Sequence, residues 1–262
     1  MPKSKTVSLS EARISKNTRI YAIGDVHGCL RELNKLWKKI QHDLEDRPIA
    51  KHKVIFVGDY VDRGPECKAV IEKMISWQEA GEPITFIRGN HDYNFLRVIN
   101  GIDERGLSGF IRYGGLATLE SYGLSEKTVN KMLGENPGRE ERDKLSKWAK
   151  KAVGKSHIKF FENLVPWKAV GDFFFCHAGV QPERKLSDQD EYDLIWMREP
   201  FLSWNKPLQK VVVHGHTYRD EPETEKHRIN LDTGCVYGGK LTALVLEGGK
   251  RRFLQVKSKF ER

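Results

Sequence analysis

The 262-residue sequence contains no apolar run near the ~18 residues that cross a bilayer, and Met1 to Lys16 holds no apolar stretch of the secretory type. A cytoplasmic protein without a membrane partner is the expectation. Only four cysteines occur, Cys29, Cys67, Cys176 and Cys235, far apart and with no CxxC pair. That argues against a zinc finger and against a disulfide framework, and for reduced, partly buried thiols. Internal repeats and low-complexity linkers are lacking. So are an RNP-like aromatic strand and a KH loop, so nucleic acid is not an expected partner despite a net charge of +9. The basic surface instead suits small or protein-borne phosphate anions.

What is present is an alternation of apolar runs and amphipathic stretches, in a chain with 39% hydrophobic and 31% charged residues. Arg19 to Ile23, Val54 to Val57 and Ile84 to Arg88 read as buried strands. Between them, 29–44 carries Leu30, Leu33, Leu36, Trp37 and Ile40 at helical spacing, and 65–80 carries Val70, Ile71, Met74, Ile75 and Trp77. Strand, helix, strand, helix, strand implies parallel strands joined by crossovers. Residues 1–17 read as a flexible polar lead and 18–262 as one domain, in which 93–165 is a mostly helical insertion bordering the site edge. Lysines crowd 144–159 around a stripe of Leu145, Trp148, Ala149, Ala152 and Val153, and a solvated helix face is the expectation there. The second half turns to β at 169–170, 173–176, 211–213, 228–232 and 241–247, with the Gly-rich segment 233–239 read as a hairpin. The expected fold class is α/β: two mixed sheets packed face to face, flanked by helices.

Five segments that end apolar runs share one chemistry: Gly24-Asp25-Val26-His27-Gly28, Gly58-Asp59-Tyr60-Val61-Asp62-Arg63-Gly64, Gly89-Asn90-His91-Asp92, His177-Ala178-Gly179 and His214-Gly215-His216-Thr217. Asp, Asn and His are hard or borderline metal ligands. In parallel sheets, the loops past the carboxyl ends of the strands converge on one edge. Asp25 and His27 can grip one ion from a tight turn, and Asp59, with two oxygens, can bridge two. Asn90 offers a neutral oxygen; His177 and either His214 or His216 complete the set. Two divalent cations, with Mn²⁺ favoured and Fe or Zn as alternatives, would then hold an acidified bridging water for in-line attack on phosphorus. His91 can serve as a general acid, supported by Asp62 or Asp92. Arg63 can fork onto two phosphate oxygens, with Arg198 as a second clamp. Strand alternation points Cys176 away from the metals.

The motifs GDVHG at 24–28, GDYVDRG at 58–64, RGNHD at 88–92, HAG at 177–179, DLIWMRE at 193–199 and HGHT at 214–217 resemble those of the PPP family of serine/threonine protein phosphatases, within the calcineurin-like metallophosphoesterases. The resemblance spans residues 19–247 and points to the compact bacterial and phage-like branch. It implies Asp25, His27 and Asp59 on one ion, and Asp59, Asn90, His177 and His216 on the other. It also implies His91 as the acid oriented by Asp62, with Arg63, Arg198 and Asn90 facing the phosphate, and Tyr237 touching the substrate. His214 is then structural. Asp92 departs from the GNHE of the eukaryotic members, and binding of regulatory subunits is not carried over. The first functional expectation is a serine/threonine protein phosphatase acting on phosphoproteins or small phosphoesters. The alternatives are a symmetrical bis(5'-nucleosyl)-tetraphosphatase, an inactive metal-bound interaction module, and a nuclease.

Overall fold

A computed structural model describes residues 6–134 and 137–260. Two five-stranded sheets pack face to face. The first has the order β10-β9-β1-β2-β3, built from β1 (Thr18–Ile23), β2 (Lys51–Phe56), β3 (Ile84–Phe86), β9 (Lys240–Glu247) and β10 (Lys250–Lys257). The second has the order β4-β5-β6-β8-β7, built from β4 (Lys168–Val170), β5 (Phe173–Phe175), β6 (Val211–His214), β7 (Glu223–Thr224) and β8 (Arg228–Asn230). β1, β2 and β3 run parallel, as do β5, β6 and β8.

Alternation along the strands sorts the side chains into layers. Ile20 and Ala22 of β1, Ile55, Phe173, Phe175, Val211, Val213, Leu244 and Leu246 form the core between the sheets. Tyr21 and Ile23 point the other way, under α1 (Leu30–Asp46) and α2 (Cys67–Glu79). Because β1 is buried on both faces, its apolar run is nearly continuous. In α1 the buried Leu33, Leu36, Trp37 and Ile40 follow helical spacing, and the helix stops at Arg47, where Pro48 disfavours a helical predecessor. Trp37 stacks on Trp77 of α2 at 4.1 Å between ring centroids. Each large side chain so buried contributes about 1.5–3 kcal/mol. Outside the second sheet, Phe174, Cys176 and Val212 pack on Leu194, Met197 and Phe201, near α8 (Glu191–Trp196).

Between β3 and β4 the chain is helical: α3 (Asn90–Asn100), α4 (Glu104–Phe110), a kinked turn at 111–115, α5 (Leu116–Ser121), α6 (Glu126–Leu133) and α7 (Arg139–Glu162). The Leu145, Ala149 and Val153 stripe of α7 is buried, and Trp148 and Ala152 pack against it. No helix among the described residues is long and apolar enough to cross a membrane.

Three local expectations are corrected. Residues 1–5 of the expected flexible lead lie outside the described residues. The remainder of that lead is packed: Val7 N–H donates to Leu208 O and Leu9 N–H to Lys226 O, and Leu9, Ala12 and Ile14 are buried in the inter-sheet core. Three scattered apolar residues were too sparse a pattern to register as an element. The segment 233–239 is not a hairpin but a crossover that carries the chain from β8 in one sheet to β9 in the other. The hairpin lies at Gly248-Gly249, where Glu247 pairs with Lys250 and Gly248 has φ 55°. β2 begins at Lys51, earlier than its apolar run, because Lys51-His52-Lys53 pairs with Thr18-Arg19-Ile20.

Candidate active site

The strand ends place the polar segments on one edge shared by both sheets. Asp25 and His27 follow β1, Asp59 follows β2, Asn90 and His91 open α3 after β3, His177 follows β5 and His216 follows β6. The backbone there is unusual. Among the described residues, the non-glycine positions with left-handed φ are His27 (42°), Asp59 (56°), Asp62 (71°), Arg63 (68°) and His216 (65°). All five belong to these loops. Such conformations disfavour L-residues and persist only where the surroundings over-determine them. The surroundings are visible: Asp92 accepts N–H bonds from Asp59, Tyr60 and Gly89, each at 2.9 Å. A side chain on Gly89 would strike the Asp59 carboxylate, and one on Gly215 would strike that of Asp25.

The donor atoms converge. Asp59 Oδ2 lies 3.3 Å from His177 Nε2 and 3.5 Å from His27 Nε2. Asn90 Oδ1 lies 2.9 Å from His177 Nε2 and 3.0 Å from His216 Nδ1. Asp25 joins through the His216 N–H, 3.1 Å from its Oδ2. His27, Asp59 and His91 form one group, and Asp59, His177 and His216 another, each offering ligand atoms within 4.8 Å of one another. Asp59 is common to both. The orientation of two rings is fixed from behind: His27 Nδ1 donates to Val61 O at 2.7 Å and His177 Nδ1 to Val57 O at 2.9 Å. Each Nε2 then faces Asp59, the direction a metal-ligating imidazole needs, although at His177 that nitrogen holds a proton that an ion would displace.

The electrostatics fit a cation centre. Burial, then the neighbouring Asp232, push the Asp25 carboxyl well above its usual range. Burial, then Arg63, hold His27 well below its ordinary value, and burial, then His177, bring His216 down to about 2. Neutral imidazole is the form that binds metals. Burial opposes the charged forms of Asp59 and His177, yet their mutual attraction outweighs it: Asp59 is lowered, and His177 is raised to about 9. A pocket that buries Asp25, Asp59, Asp62 and Asp232 together has a deficit of positive charge that divalent ions would fill.

Beside this group, His91 Nδ1 donates to Asp62 Oδ2 at 2.6 Å. Thr118 Oγ1 donates to Asp62 Oδ1 at 2.5 Å and accepts from Asp62 N–H at 2.8 Å. Arg63 reaches His27 Nε2 at 2.5 Å with Nη1 and His91 Nε2 at 2.8 Å with Nη2. Its guanidinium also lies over the Tyr237 ring, 5.4 Å from the centroid. A cavity of about 220 Å³ is lined by Asp59, Arg63, Asn90, His91, Tyr113, Trp196, Arg198 and His216. Arg198 is held by Thr217 Oγ1 at 3.2 Å. His214 is fully buried against Phe201, away from this cavity, and Cys176 lies on the opposite face in the α8 core.

Of the two carboxylates open to His91 in the sequence reading, the structure pairs it with Asp62, while Asp92 organises the turn. The sequence reading missed Thr118, Asp232, Tyr113 and Trp196. Trp196 sits inside the quoted DLIWMRE segment and so had a signal; Thr118 and Tyr113 lie in the helical insertion, where no motif marks them.

The family model described as calcineurin-like phosphoesterase matches residues 18–242. Among curated proteins, the chain is 30% identical over 242 residues to the bis(5'-nucleosyl)-tetraphosphatase PrpE [asymmetrical] of Anoxybacillus flavithermus, covering 85% of this chain and 88% of the relative. It is 28% identical over 246 residues to the protein of that name from Oceanobacillus iheyensis, covering 86% and 87%. Among solved structures, one described as "a putative diadenosine tetraphosphatase" superposes with a TM-score of 0.61 at 20% identity, covering 95% of this chain and all of the other. A protein serine/threonine phosphatase from Saccharomyces cerevisiae superposes with a TM-score of 0.55 at 15% identity, covering 97% and 86%. At these identities the structural likenesses speak to fold alone.

Proposed function

The chain belongs to the calcineurin-like phosphoesterase family, and from that premise we propose that it hydrolyses dinucleoside tetraphosphates asymmetrically, releasing a nucleoside triphosphate and a monophosphate. The observation that carries a phosphoryl hydrolase is the convergence of Asp59, Asn90, His177 and His216 beside the His91–Asp62 pair. The substrate class rests on the curated relatives, whose names carry the asymmetrical reaction rather than the symmetrical one.

In this reading Asp25, His27 and Asp59 hold one ion, and Asp59, Asn90, His177 and His216 the other; manganese is the favoured metal. When bound, the pair supplies positive charge to the phosphoryl oxygens and an acidified water. Holding an ion at His27 requires its Nε2 to release Arg63, whose freed guanidinium then faces the phosphate together with Arg198. In the net reaction a water would add across the P–O bond, its oxygen going to phosphorus and its lost proton to solvent as the bond to the departing group breaks. Once Arg63 has also left His91 Nε2, that nitrogen, with Asp62 holding Nδ1, would carry a proton and give it to the departing oxygen. Tyr237 borders the substrate through its stacking on Arg63.

A second reading, phosphate monoester hydrolysis on phosphoserine or phosphothreonine in the compact PPP branch, is favoured by that same His91–Asp62 pair. An alkoxide is a poor leaving group and needs a proton more than a nucleotide phosphate does. Product analysis on diadenosine tetraphosphate and a phosphopeptide, after chelation and reloading with Mn²⁺, decides between them. Equimolar ATP and AMP with a faster rate than on the phosphopeptide supports the first reading. Two ADP, or a preference for the phosphopeptide, overturns it.

A further inference from the structure

We propose that Cys29, Glu32 and Cys235 form a third metal site, separate from the catalytic edge, that takes a thiolate-seeking divalent ion such as Zn²⁺. Cys29 immediately precedes α1, Glu32 lies on its first turn, and Cys235 begins the short turn Cys235–Tyr237. Their exposures are 0%, 0% and 2%. The two sulfurs and a carboxylate oxygen all lie within 4.8 Å of one another. A tetrahedral Zn²⁺ with thiolate and carboxylate ligands has ligand-to-ligand edges of roughly 3.4–3.8 Å, so a small inward shift seats the three ligands at three corners and leaves the fourth to a water.

Glu32 supplies the independent observation. Its Oε1 accepts the Lys259 N–H at 3.0 Å, but its Oε2 is buried with no hydrogen-bond partner. A buried carboxylate oxygen left unpaired is costly. The same carboxyl lies within ligand reach of two cysteines, which as thiolates are metal ligands and are not needed by the phosphoryl chemistry. Cys29 Sγ makes only a long contact to His27 O at 3.5 Å, whereas Cys67 donates to Gly64 O at 3.1 Å with no carboxylate grouped beside it, and Cys176 sits behind the second sheet. An ion held by the three residues would tie the loop carrying Asp25 and His27 to the turn carrying Tyr237 and, through Lys259, to the last described segment. Its role is a staple that fixes the rim of the catalytic edge.

Cobalt titration of the reduced full-length chain tests this. A catalytic site of N and O ligands gives no thiolate-to-metal charge transfer, so a near-ultraviolet charge-transfer band that saturates at one Co²⁺ per chain reports the new site alone. The band is expected in the unaltered chain and in Asp59→Asn, and is expected to vanish in the Cys29→Ser/Cys235→Ser double variant. Should that variant fail to fold, Glu32→Gln, which keeps both sulfurs, is expected to weaken Co²⁺ binding at the band about 10-fold or more. Absence of the band in the reduced chain overturns the proposal. So does a band unaffected by Glu32→Gln, or a Cys29–Cys235 disulfide in the purified chain whose reduction restores no cobalt binding.

Discussion

Asp62 receives the His91 Nδ1–H at 2.6 Å on one carboxylate oxygen and the Thr118 hydroxyl at 2.5 Å on the other. Asp62 comes from the loop after β2, His91 from the start of α3 and Thr118 from α5, so three elements meet on one carboxylate. A carboxylate held this way fixes the tautomer and direction of the imidazole, which leaves Nε2 turned toward the cavity.

Replacing His91 by Asn should leave the bound metal content near that of the unaltered chain, while turnover on substrates with alkoxide leaving groups falls by about 10²–10⁴-fold. Aryl esters, whose leaving groups need little protonation, should lose less. Equal losses on both would remove the acid role from His91.

Asp59 touches the histidines of both donor groups. Asp59→Asn should therefore weaken both ions together, by at least the ~10–100-fold that loss of an outer-shell partner costs. Equilibrium dialysis with Mn²⁺ measures this. One ion retained at full affinity would contradict a shared ligand.

Thr118→Val removes one donor and one acceptor from a fully buried position while keeping the shape. The stranded Asp62 N–H and carboxylate oxygen should lower stability by about 1–3 kcal/mol. Turnover should fall with little change in KM, because Thr118 does not line the cavity, and Thr118→Ser should restore most of it. A variant with unchanged turnover would show that His91 does not depend on this support.

Far from the site, Asp43 of α1 accepts from Tyr21 Oη at 2.6 Å and from Arg252. Burial alone would raise its pKa, but the Tyr21 and Arg252 bonds outweigh burial and hold it below the ordinary value. The folded state is then favoured above the unfolded carboxyl's pKa of about 4, and that contribution is lost as pH falls through the lower folded value. Asp43→Asn should destabilise the chain near neutrality by about 1–3 kcal/mol, since Arg19 keeps the main-chain acceptors Asp43 O and Arg47 O. The gap between the two chains in thermal unfolding should narrow steadily as pH drops below about 4. A gap independent of pH would remove the ionised carboxylate from the account.

Much of the site was legible because the chemistry sits where apolar runs stop. Ile23, Val57 and Ile87 each lead into a ligand-bearing turn, and strand polarity alone brings those turns to one edge. The second sheet was legible as strands, but not the path between them. Residues 233–239 have the composition of a hairpin, and whether a Gly-rich turn folds back or crosses to another sheet depends on which strand has a free edge. β7, with two residues, and β10, with one buried side chain among mostly exposed or half-buried ones, gave no periodic signal. The packing of Leu9, Ala12 and Ile14 was hidden for the same reason: each is a single apolar residue whose neighbours across the fold lie hundreds of residues away.

The sequence by itself determined which metal-ligand and anion-binding residue types end the apolar runs, and in what order along the strand ends they come. These are local facts of ligand chemistry, glycine spacing and hydrophobic period. Only the tertiary structure decided that Asp62 rather than Asp92 orients His91, that Thr118 stands behind Asp62, and that Glu32 lies buried between two cysteines. A carboxylate's role is set by the donors within about 3 Å of it, and here those donors come from parts of the chain that the sequence leaves far apart.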